Sequence, residues 1–189
     1  MTPHTDIIYA TIGGRRLALD LHMPAGVDQP PLIVWVHGGR WVLGDKSEVP
    51  MTFVAAGIAT ASLDFRQADE ARFPAMVHDI KAAIRFLRAK ASEYGYSTAR
   101  VAIGGTSSGA HLAALVGTTN GHSVLEGTVG DHLDQSSDVE AILSYYGASN
   151  LTTILAQSTP QGLDVRVPAL EALLGALPDR VPELAQLAS

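Results

Sequence analysis

A serine with glycine two residues to either side, Gly105-Thr106-Ser107-Ser108-Gly109, is a pattern that lifts a hydroxyl out of a sheet and presents it as a nucleophile. The residues before it, Arg100-Val101-Ala102-Ile103, read as a short strand. Those after it, Ala110-His111-Leu112-Ala113-Ala114-Leu115-Val116, read as an apolar helix. A serine at such a strand-to-helix turn has a strained backbone, and the glycines let neighbouring backbones pass closely. The chemistry implied is acyl transfer, with Ser107 as the catalytic nucleophile. Thr106 and Ser108 flank it without competing, because only the central position projects upward.

Acyl transfer also needs donors aimed at the oxygen that turns negative in the tetrahedral intermediate. The apolar stretch Pro31-Leu32-Ile33-Val34-Trp35-Val36 runs into His37-Gly38-Gly39-Arg40-Trp41. The amides of Gly38 and Gly39, which no side chain obstructs, and the amide of Ser108 after the nucleophile make up the candidate oxyanion hole. His37, Arg40 and Trp41 are assigned to the cleft or to the support of that loop, and Trp35 to the core.

These motifs, and their order, resemble the α/β-hydrolase superfamily, in the branch of bacterial feruloyl-esterase-like and hormone-sensitive-lipase-like carboxylesterases. Further stretches carry the likeness: Leu19-Asp20-Leu21-His22-Met23-Pro24, Gly44-Asp45-Lys46, Asp64-Phe65-Arg66, Phe73-Pro74-Ala75, the helix from Asp79 to Arg88, and Ser136-Ser137-Asp138-Val139. The resemblance covers nearly the whole chain. It implies a serine carboxylic-ester hydrolase that works through an acyl-enzyme on a small-molecule ester, with no cofactor and no metal. It also implies that His37 supports the oxyanion loop. Two departures stand out. Arg40 replaces the third glycine usual in that loop, and Ser108 and Ala110 replace the more usual alanine and glycine. Arg40 is open to two readings, a contact to a carboxylate-bearing substrate or a charge turned to solvent.

Family members place the triad acid and histidine on loops after the last two of about eight strands. Here about six strands are legible, and no histidine follows His132. The expectation is a C-terminally truncated chain whose acid and base are missing. His111 then serves helix packing, while His122 and His132 lie in a loop at the far end of the sheet. Two other functions stay open: an inactive or truncated member, and a ligand-binding module that keeps the cleft. The strand at 139–146 would be left as an apolar edge, open to two outcomes: self-association of the chain through it, or cover by the segment 151–189.

The elements that must position these residues alternate. Strands are expected at 7–12 and 16–22, joined by Gly13-Gly14, then at 32–36 and 58–65, with a short helix at 51–56. A long helix follows, with Phe73, Met76, Val77, Ile80, Ala83, Ile84 and Leu87 at three- and four-residue spacing. Lys81, Arg85 and Arg88 fall on its other side, and Asp79 is expected to pair with Arg66 or Arg72. After the nucleophile helix come a polar loop at 118–137, the strand at 139–146, and two weak helical segments at 152–155 and 169–174 punctuated by Pro160, Pro168, Pro178 and Pro182. This is an α/β pattern: a mostly parallel sheet with helices on both faces.

Size and composition fit one domain, 1–189. The chain has 189 residues, 47% of them apolar, enough for a single substantial core. A formal net charge of -6 without a Lys/Arg cluster argues against nucleic acid and anionic membrane as partners. With no cysteine there is neither a disulfide framework nor a thiolate metal site, and the Asp131, His132 and Asp134 loop reads as solvated. No secretory pattern opens the chain and no apolar run suits a bilayer, so a cytoplasmic location is expected.

Overall fold

A computed structural model describes residues 3–189. Gly13 and Gly14 both take positive φ, 55° and 86°, and turn the chain between β1 (His4–Ile12) and β2 (Arg15–His22). The remaining strands are β3 (Pro31–Val36), β4 (Ala59–Leu63), β5 (Ser97–Thr106) and β6 (Ala141–Tyr145). Six strands form one sheet in the order β1-β2-β4-β3-β5-β6. β2 is antiparallel to both its neighbours, and β4, β3, β5 and β6 are mutually parallel.

Period-two alternation sets the faces of the central strand β3. Leu32, Val34 and Val36 join the main core, together with Met76, Val77, Ile80, Ile84 and Leu87 of α2 (Ala75–Tyr94) and Leu112, Leu115 and Val116 of α3 (Ser107–Thr118). Trp35 lies on the opposite face, where its ring meets Phe53 of α1 (Met51–Ala55) at 5.9 Å. The helix α2 stops at Gly95, whose left-handed φ of 80° lets its N–H reach Ala91 O. No helix among the described residues is long and apolar enough to cross a membrane.

Three expectations change. First, Lys81 and Arg85 do not face solvent: both are buried. The segment after α3 folds over them, including a short helix, α4 (Ser123–Glu126), where a loop was expected. Lys81 Nζ donates to Glu126 and to Thr119 O, and Arg85 donates to Val129 O at 3.0 Å. Arg88 likewise spans to the carbonyls of Thr98 and Asp138. Buried cations are tolerated because carboxylate and carbonyl oxygens receive them.

Second, 152–155 forms turns rather than a helix. Third, the next helix, α5 (Pro160–Leu174), starts well before 169 and continues through Pro168. Pro160 sits at its first turn, where a missing N–H costs nothing, and Thr159 Oγ1 accepts from Gly162 N at 3.1 Å. The interior Pro168 is outweighed by the burial of Ala169, Leu170, Leu173 and Leu174 just beyond it. The last helix, α6 (Pro182–Leu187), also begins on a proline.

Of the two partners expected for Asp79, the fold selects Arg66. The fully buried carboxylate accepts from Arg66 Nη2 at 2.7 Å and from its Nε and backbone N at 2.9 Å. The strand β6 lies at the sheet margin, with Ile142, Tyr145 and Tyr146 exposed.

Candidate active site

β3 and β5 are adjacent and parallel, and Val36 pairs with Gly105, so the loops that follow them emerge side by side. Thr106 is still extended, at φ -115° and ψ 144°. The next residue, Ser107, opens α3 at φ 49°, in the left-handed region that L side chains rarely occupy. The flanking glycines are required by close approach. A Cβ on Gly109 would run into the carbonyl oxygens of Val36 and His37, and one on Gly105 into Val36 O and the Gly109 backbone.

Gly38 lies against the nucleophile turn: a Cβ there would stand 3.0 Å from Thr106 Oγ1 and 3.6 Å from Ser107 Cβ. Gly39 has φ 122° and passes so close to Leu43 O that no side chain fits. His37 is buried, stacks on Phe65 at 4.6 Å, and donates from Nδ1 to Gly38 O at 2.7 Å. In a trans peptide the N–H points opposite to the C=O. Holding the Gly38 carbonyl therefore turns the Gly39 N–H away from the His37 ring. Among the described residues, the N–H groups of Gly38, Gly39 and Ser108 donate to no other backbone group. The Ser108 N–H also belongs to the first turn of α3, where the helix dipole is positive.

Arg40 and Trp41 take successive left-handed conformations, φ 58° and 64°. Trp41 anchors the pair. Its carbonyl accepts from Ala68 N at 2.8 Å, and its Nε1 donates to His111 Nδ1 at 3.1 Å. His111 in turn donates from Nε2 to Ala188 O at 2.7 Å. Burial pushes the His111 pKa down, against a smaller opposing effect of the Ala188 carbonyl, which keeps the ring neutral with its proton on Nε2.

Ser107, Ser108, Arg40 and Trp41 line one cleft of about 520 Å³. Its floor is the ends of three neighbouring strands, because Tyr146 to Asn150, just after β6, join it. Its far wall is Ile154, Gln157 and the α5 residues Gly162, Val165, Arg166 and Ala169. Gly38, Gly39 and His37 are not among the residues that line the cleft. Among the described residues nothing hydrogen-bonds to Ser107 Oγ. His37 and His111 are committed as above, His122 begins α4, and His132 packs on Phe86 at 5.8 Å.

Sequence reasoning missed the α5 wall; its signal was Thr159-Pro160, a helix start. It also missed that three of the resembling stretches meet. Lys46 Nζ binds Asp20 at 2.9 Å and Asp6 at 3.0 Å, while Lys46 N donates to Asp64 Oδ1 at 2.9 Å. This cluster fixes the far end of the glycine loop to β2 and β4. Such a contact has no local spacing by which to find it.

The BD-FAE family model matches residues 19–189. Esterase LipC of Mycobacterium tuberculosis is 32% identical over 121 residues, covering 62% of this chain and 30% of that protein. The chain spans about a third of the length of the curated relatives it matches. Among solved structures, a bifunctional GH43-CE protein of Bacteroides eggerthii superposes with a TM-score of 0.82 at 32% identity, over 98% of this chain and 25% of that one. A truncated carbohydrate esterase from gut microbiota superposes with a TM-score of 0.87 at 26% identity, over 100% of this chain and 71% of that one.

Proposed function

Because the chain belongs to the BD-FAE family, an α/β-hydrolase carboxylesterase family, we propose that it is a serine carboxylic-ester hydrolase, its residues 1–189 belonging to a single α/β-hydrolase domain, acting through an acyl-enzyme on Ser107. Ser107 Oγ bonds to the ester carbonyl carbon while the carbonyl oxygen becomes an oxyanion. The N–H groups of Gly38, Gly39 and Ser108 receive that charge. Collapse breaks the bond to the alcohol oxygen, which takes up the proton lost by Ser107 by way of a general base, a group that none of the described residues places on Ser107 Oγ. Water then releases the acyl group as a carboxylic acid. The observation that carries this reading is the left-handed Ser107 at the start of α3, beside a glycine loop whose amides have no other backbone partner among the described residues.

The test is covalent. Incubated with p-nitrophenyl acetate and quenched in acid, the protein should gain one acetyl group on Ser107, read by mass spectrometry of the peptide that contains it. The S107A variant should gain none there. Acetylation confined to lysines, or p-nitrophenol release unchanged by S107A, would instead identify a binding cleft without nucleophilic chemistry.

The reading of self-association extends to β6. Its outer edge is unpaired among the described residues, and Tyr146 beside it is 78% exposed. A second copy can pair there strand to strand. Sedimentation velocity should show dimer that grows with concentration and is lost in I142K; a monomer throughout overturns this.

A further inference from the structure

The charge of the cleft runs against that of the chain. The formal net charge is -6, yet the cleft that holds Ser107 is lined by Arg40 and Arg166 and, among the described residues, by no aspartate or glutamate. Arg15, Arg66, Arg85 and Arg88 all have carboxylate partners. Arg40 and Arg166 have none among the described residues: Arg166 Nη1 donates only to Ser158 Oγ at 3.0 Å. The two enter from different walls, Arg40 from the glycine loop and Arg166 from α5. Both backbones are fixed, the first through the anchored Trp41 and the second by the Thr159 cap and by Gly162, where a Cβ would strike the Arg166 guanidinium.

We propose that Arg40 and Arg166 form a carboxylate subsite, so that the cleft selects esters bearing a free carboxylate on the acyl or the alcohol part. The inference rests on the ester-hydrolase reading above. A planar guanidinium matches a carboxylate in a two-pronged hydrogen bond, and both groups rise from fixed backbone on the lining of one cleft. Asn150 and Gln157, on the same lining, add neutral donors for the rest of the ester. The Arg40 position thereby exchanges a glycine's adaptability for selectivity.

The test is made on S107A, which cannot turn substrate over, so its result does not depend on catalysis. Monoethyl esters of dicarboxylic acids, from succinate to suberate, are titrated calorimetrically against their neutral diethyl esters. At least one monoester should bind about tenfold or more tighter than its diester, the size expected for hydrogen bonds to a charged group. That preference should shrink in S107A/R40Q and in S107A/R166Q, vanish in the triple variant, return in part with R166K, and weaken as NaCl rises from about 0.05 to about 0.5 M. Equal affinity for every pair, no binding of any monoester, or a preference untouched by both arginine changes overturns the subsite. Preference for the monoester without acetylation of Ser107 keeps the subsite and removes the hydrolase.

Discussion

Trp41 and His111 meet edge to face, ring centres 5.4 Å apart, with the indole N–H donating to the imidazole Nδ1. One belongs to the glycine loop and the other to the helix that begins at Ser107, so the bond ties that loop to the turn that carries Ser107. Replacing Trp41 with Phe keeps the ring contact and orphans a buried acceptor. The expected cost is about 1–3 kcal/mol, read as a lower denaturant midpoint at unchanged slope. Acetylation of Ser107 should slow in the same variant.

The burial of His111 should make the protein acid-sensitive. Burial holds the His111 pKa below its ordinary value of 6.5, so the unfolded chain binds this proton more readily than the folded one. Stability is therefore full above that value and declines as the pH drops below it, by at most about 1.4 kcal/mol per pH unit. Melting curves between pH 7 and 5 should fall more steeply for the wild type than for H111Q. Parallel curves would show that His111 does not titrate in this way.

At Gly109 the α3 backbone passes directly under Val36 and His37. A methyl group there meets backbone carbonyls that cannot rotate aside. G109A should lose about 3 kcal/mol or more through overpacking, and G109S no less. A melting point near that of the wild type would mean that the strand-to-helix turn can open without penalty.

Glu126 receives Lys81, Ser137 Oγ at 2.8 Å and Gly121 N at 3.0 Å. Burial by itself would raise its pKa; the hydrogen bonds from Lys81 and Ser137 outweigh it and hold the carboxyl below its usual range. E126A leaves the Lys81 ammonium buried without its partner and should cost about 3–5 kcal/mol. The pair K81M/E126L removes both charges and should cost clearly less. Equal losses in the two would refute a charge-based origin.

The parts of the site that depend on local chain geometry were legible in the sequence. Ser107, Gly38, Gly39 and Ser108 are marked by glycines, of which Gly39, Gly105 and Gly109 leave no room for a side chain, next to apolar strands whose ends must coincide. The placing of Trp41 followed from its position in that loop, and the supporting role of His37 from the resemblance to the family. What could not be read depends on contacts across long separations. Lys81 and Arg85 sit at positions of α2 that spacing assigns to water, and only the fold of 118–138 over them, much later in the chain, reverses this. Arg166 gives no sign in sequence that it reaches the cleft of Ser107, because α5 returns through packing on Phe73 N and the core rather than through any strand pairing.

The cleft is assembled from parts of unequal firmness. Its floor is continuous with a ladder of paired strands, β3 to β5 to β6, and a change there propagates into the sheet. Its α5 wall has a single backbone hydrogen bond to the rest of the molecule among the described residues, Phe73 N to Leu173 O at 2.9 Å, and otherwise rests on side chains. Amide exchange should accordingly be slow along the floor and much faster in the outer turns of α5. Mutational drift can rework that panel while Ser107 and the glycine loop stay where the sheet puts them.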